Sequence, residues 1–111
     1  MLVVTFCRDS HNRLSSVFAT GHADFGDHGE DIVCAAVSGI LQAARLGLEE
    51  HARVPLAASQ QSGDMRLEWP ESARDDTAVR AIVATAELAI ERIASQYPAH
   101  VRFARKNAPQ T

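Results

Sequence analysis

His22 and Cys34 are the two residues of this chain whose types and spacing suit covalent chemistry. His22 follows Gly21 at the end of a strand-like segment, and Cys34 falls in the first turn of an apolar, helix-like run, Ile32-Val33-Cys34-Ala35-Ala36-Val37. A loop rich in glycine and acid separates them (Asp24, Gly26, Asp27, Gly29, Glu30, Asp31). An imidazole on one element and a thiol on the next meet across such a loop, and the imidazole then takes the thiol proton. The helix start assists. Its unpaired N–H groups and positive dipole end favour a thiolate, and those N–H groups, that of Cys34 included, can also hold an oxyanion. The chemistry implied is acyl transfer by a cysteine–histidine dyad of the kind that cuts peptide bonds.

Three neighbours complete the candidate set. Gly21 lets backbone or substrate come close to His22. Asp31 or Glu30 can cap the helix, and Asp31 can instead orient His22, although a carboxylate that near opposes a thiolate by charge repulsion. Ser38 lies one helical turn beyond Cys34 and faces the same way, a polar wall for the site. Each candidate also has a plain structural role. A free cysteine is among the most buried residue types. A strand-end histidine can simply be hydrogen-bonded, and a helix serine can bond back to its own carbonyl. A metal site from His22, His28 and Cys34 lacks the close ligand pairs of zinc motifs. A redox pair of Cys7 and Cys34 lacks the CxxC spacing. No metal and no cofactor are expected.

The surrounding elements follow from periodicity. Leu2 to Arg8 alternates Leu2, Val4 and Phe6 with Val3, Thr5 and Cys7, which predicts a strand. Turn formers Asp9 to Asn12 lead into a return strand from Leu14 to His22. From Asp31 the period becomes helical, with Ile32, Val33, Ala36, Val37, Ile40, Leu41, Ala44 and Leu48 as one broad apolar face, ending between Gly47 and His51. A weaker strand is expected within Arg53 to Gln60, where Pro55 marks a start or an edge. A turn at Gln61 to Asp64 precedes a strand with Met65, Leu67 and Trp69 on one side. Val79, Ile82, Val83, Ala86, Ile90, Ile93 and Tyr97 then predict a second helix, capped by Asp75, Asp76 or Thr77 and stopped before Pro98. Val101 to Arg105 closes the order β-β-α-β-β-α-β. The fold class expected is α+β: a mixed, largely antiparallel sheet of about five strands with two helices on one face.

Composition narrows the function classes. The 111 residues, 46% apolar, fit one domain over residues 1–111 with one core. A net charge of −3 with mixed signs offers no basic face for nucleic acid, so no direct nucleic-acid binding is expected. Two cysteines without a disulfide pattern point to a reducing compartment, hence a cytoplasmic protein. No signal sequence is visible and no run approaches membrane-spanning length, so no membrane association is expected.

The run Gly21-His22-Ala23, then Gly29, then Asp31-Ile32-Val33-Cys34-Ala35-Ala36-Val37-Ser38 resembles the signature of the ribosomal-processing cysteine protease family Prp. Length, element order and the opening hairpin are similar as well. The resemblance implies a small α/β homodimer without cofactor. It implies that a cysteine and a histidine remove a short N-terminal extension from large-subunit ribosomal protein twenty-seven, after an apolar, phenylalanine-containing sequence. By position, the family's nucleophile falls on Cys34, its general acid/base on His22, and its motif aspartate and serine on Asp31 and Ser38. The loop Ala23 to Glu30 would close on substrate, with Phe25 where relatives often carry tyrosine. Two rivals stay open at this point: a non-catalytic ribosome-associated module with the same fold, and a small thioester or amide hydrolase using the same dyad.

Overall fold

Alternation in the first strand sets the layer on which the rest packs. In the computed structural model, which describes residues 1–22 and 31–107, β1 (Leu2–Arg8) and β2 (Leu14–Thr20) form the opening hairpin. β3 (Ala57–Gln61) and β4 (Asp64–Glu68) form a second hairpin, and β5 (Val101–Asn107) follows. The strand order is β3-β4-β2-β1-β5. β5 runs parallel to β1, and every other pairing is antiparallel. The mixed, largely antiparallel five-stranded sheet expected from the sequence is the one observed.

Both helices cover the same face. α1 (Ile32–Leu46) buries Val33, Val37, Leu41 and Ala44, and a π-helical turn at Gly47–His51 continues it and buries Leu48. α2 (Thr77–Gln96) buries Val79, Val83, Ala86, Ile90 and Ala94. These stripes close on Leu2, Val4, Phe6, Val17, Ala19, Met65, Leu67 and Val101 of the sheet in one core cluster. Cross-strand partners such as Val4, Ala19 and Phe103 share that face by register. Each methylene removed from water there stabilises by about 0.8 kcal/mol.

Several expectations need adjustment. β2 stops at Thr20, so His22 stands beyond the strand rather than on it. Gly21, at φ +91, turns the chain out of the ladder. The apolar face of α1 is narrower than the sequence suggests, because Ile32 is 63% exposed and Ala36 is also exposed. α1 with its π turn spans Ile32–His51, 20 residues long and apolar enough to cross a membrane by length and composition alone. That corrects the expectation that no run approaches such a length. β3 begins only at Ala57, because Arg53 takes φ 57 and Pro55 follows. α2 buries a charge that periodicity did not reveal. Glu87 is 5% exposed and receives two bonds from the Arg8 guanidinium (2.7 and 2.9 Å) and one from Arg105 (3.2 Å). A carboxylate survives in such a place because charged donors replace its water.

Candidate active site

The end of the sheet where β1 begins and β2 ends carries a cavity of about 420 Å³. His22 and Cys34 both line it, with Gly21 beside the first and Ser38 one turn beyond the second. The sequence candidates therefore converge on one site. Asp31 supplies its foundation. It is the N-cap of α1, and its Oδ1 accepts the Cys34 backbone N–H at 2.8 Å. This fixes Cys34 in the first helical turn, with its thiol only part-buried at the cavity wall. It also means that the Cys34 amide is already engaged, so the helix-start donors left to an oxyanion are those of Ile32 and Val33.

His22 is placed by two glycines. A Cβ on Gly21 would sit well inside contact with the Met1 carbonyl oxygen, and its φ of +91 also favours glycine. Gly21 then donates its N–H to the Gly63 carbonyl at 2.9 Å, tying the end of β2 to the β3–β4 turn. Gly63, at φ +75, leaves room for the ring. A Cβ there would lie 3.1 Å from His22 Nε2 and 3.8 Å from both flanking ring carbons, so the imidazole rests vertex-first on this turn. Among the described residues no hydrogen bond links the Cys34 thiol to the His22 ring. The two groups share a cavity without being engaged.

Other lining residues had no signal in the sequence. Gln60, Gln61, Ser62 and Asp64 bring the β3–β4 hairpin to the site, and Asp64 buries Oδ1 without a hydrogen-bond partner. The hairpin's turn residues were legible as a turn, but nothing local announces what a turn will touch. No group of three or more His, Cys, Asp or Glu side chains among the described residues is placed to hold a metal ion. His28, Phe25 and the rest of the loop Ala23 to Glu30 lie outside those residues.

A half-buried thiol at a helix start and an imidazole across one cavity are the parts of a cysteine hydrolase. Comparison with known proteins narrows that class. The family model for cysteine protease Prp matches residues 1–102. A protein named ribosomal processing cysteine protease Prp from Staphylococcus aureus is 26% identical over 106 residues, covering 93% of this chain and 97% of that protein. Its Mycoplasma pneumoniae namesake is 45% identical over 53 residues, 41% of this chain and 50% of that one. Among solved structures, a Streptococcus mutans protein, SMU.848, superposes with a TM-score of 0.81 at 31% identity, covering 97% of this chain and 96% of that one. The Staphylococcus aureus Prp structure with a covalently linked product peptide gives a TM-score of 0.79 at 21% identity, with 96% and 100% covered. The chain belongs to the cysteine protease Prp family, and its activity is that of a cysteine protease.

Proposed function

We propose that this chain is a ribosomal-processing endopeptidase that removes a short N-terminal extension from large-subunit ribosomal protein twenty-seven, cutting after an apolar, phenylalanine-containing sequence. The observation that carries this reading is the convergence of His22 and Cys34 on one cavity, with Cys34 held in the first turn of α1. The names of the Staphylococcus aureus and Mycoplasma pneumoniae relatives support the ribosomal role. Staphylococcus aureus Prp has been crystallised with a substrate peptide and with a covalently linked product peptide, which supports a peptide substrate.

In this mechanism His22 takes the Cys34 proton, and the thiolate sulfur attacks the scissile carbonyl carbon. The carbonyl oxygen becomes an oxyanion facing the Ile32 and Val33 amides. Collapse breaks the C–N bond as His22 protonates the leaving amine, and a thioester to Cys34 remains. Water, deprotonated by His22, then attacks the thioester, which releases the acid product and returns the proton to sulfur. Ser38 forms a polar wall beside the sulfur, and Asp31 holds the helix end. The same reading includes a cytoplasmic homodimer, which light scattering in solution checks.

The test is a Cys34→Ala variant with a synthetic peptide spanning the N-terminal junction of the source organism's own ribosomal protein. The variant should bind the peptide and leave it whole, whereas the unaltered chain cuts it. Cleavage by Cys34→Ala at the unaltered rate would remove the dyad.

A further inference from the structure

The two edges of the sheet are built differently. β5 carries Arg102, Arg105 and Lys106 within its seven residues, and charge on an edge strand deters pairing with another chain. Among the described residues β3, Ala57-Ala58-Ser59-Gln60-Gln61, pairs as a strand with β4 alone, and it is exposed at every residue. It holds neither charge nor proline. Nothing in its sequence opposes the addition of a strand.

Hairpin geometry says which groups are free. Ser62 and Gly63 alone join the strands, and Gln61 faces Asp64 across them. The closing pair of a two-residue hairpin exchanges both backbone bonds. Alternation then directs the N–H and C=O of Ala57, Ser59 and Gln61 toward β4 and turns those of Ala58 and Gln60 outward. This free edge ends at the active site, since Gln60, Gln61 and Ser62 line the cavity that holds His22 and Cys34. Val37, Ser38 and Leu41 of α1 line the same cavity. Arg45, a turn further along α1, reaches across to Gln60 (Nη1 to Oε1, 3.5 Å).

We propose that the peptide substrate binds as an added strand on β3, held by the backbone groups of Ala58 and Gln60, so that its scissile carbonyl is delivered over Cys34. The inference rests on the peptidase reading above. Main-chain bonds supply affinity in strand addition, and pockets for alternate side chains supply selectivity. Alternate side chains of the bound peptide face α1, where the accessible wall of the cavity is formed by Cys34 and Ser38. A second copy of the chain paired on the same edge would cover Gln60 and Gln61 and shut the cavity mouth. The occupant is therefore substrate.

The experiment uses the unaltered protein and a series of the junction peptides described above, each with one backbone amide N-methylated away from the scissile bond. Methylation deletes one donor and adds bulk at the strand edge. Cleavage efficiency should fall about tenfold or more at every second residue and change little between, with the tenfold unit corresponding to about 1.4 kcal/mol. Ala58→Pro removes an outward N–H while sparing the β4 ladder. It should raise KM about tenfold with kcat within about twofold and the thermal midpoint unchanged. A flat methylation profile overturns the inference, and so does a folded Ala58→Pro protein with unaltered KM, including one that has only lost self-association. If Ala58→Pro does not fold, the methylation series decides alone. Failure of the unaltered protein to cut the unmethylated peptide sinks the proposed function and this inference with it. A flat profile with normal cutting sinks only this one.

Discussion

Cys7 and Cys34 are both free thiols, yet their surroundings give them different chemistry. Cys7 is 3% exposed near the end of β1, closed in by β2 and β5 on either side. Cys34 is part-buried and borders the cavity that also holds His22. Iodoacetamide near neutral pH should therefore modify the folded protein once, at Cys34, and the denatured protein twice. Peptide mass spectrometry reads both numbers, and equal labelling of the two cysteines in the folded state would contradict this assignment. Both environments could be read in the sequence, one from a first strand apolar on nearly both faces and the other from a cysteine in the first turn of a helix. Gly63 could not. Its contact with the His22 ring joins distant parts of the chain, and a glycine in a turn advertises only its backbone freedom.

At the scale of the element, the start of α1 does two jobs with one side chain. Asp31 caps the helix and, through the Cys34 amide, sets where the thiol sits. Asp31→Ala should cost about 1 kcal/mol of stability, the usual loss for an N-cap, and should lower kcat because Cys34 is no longer pinned. Asp31→Asn keeps an oxygen acceptor and should retain most of the stability. Urea unfolding and peptide cleavage on the two variants separate the cap from the charge. Full activity in Asp31→Ala would show that the cap does not position Cys34 for the reaction. The helix itself was legible from its period, whereas its cap was narrowed only to Asp31 or Glu30, and the structure assigns it to Asp31. The width of its buried face was not: Ile32 and Ala36 fit the apolar pattern but face away from the sheet. In α2 the reverse holds. Glu87 is no part of the apolar stripe, yet it is buried because Arg8 and Arg105 come from the strands to pair with it.

Over the whole molecule, β1 separates two polar ends by its length, about 20 Å for seven residues. Leu2 borders the cavity at one end, and Arg8 leads into an ion cluster at the other. Asp9 is the hub of that cluster. Its Oδ1 accepts the His11 and Arg13 amides (2.8 and 3.1 Å), and its Oδ2 accepts from the Arg13 and Arg74 side chains (3.0 and 3.1 Å). Arg13 continues to Glu71 and Asp75, so the β1–β2 turn is clasped to the segment that starts α2. Burial works to raise the Asp9 pKa, but the amides of Arg13 and His11 and the Arg74 guanidinium outweigh it and hold the carboxyl at about 2, below its ordinary 3.8. A carboxylate with a depressed folded pKa stabilises fully above its unfolded value and loses that contribution as pH falls toward the folded one. The clasp should therefore weaken from just below pH 4 down to about pH 2. Asp9→Asn should be less stable than the unaltered chain at neutral pH, and the gap between their urea midpoints should close across that interval. Because the cluster lies a strand length from Cys34, kcat at pH 7 should be unchanged in Asp9→Asn. A gap that stays constant from pH 6 to pH 2 would mean that the charge on Asp9 is not what holds the turn to α2.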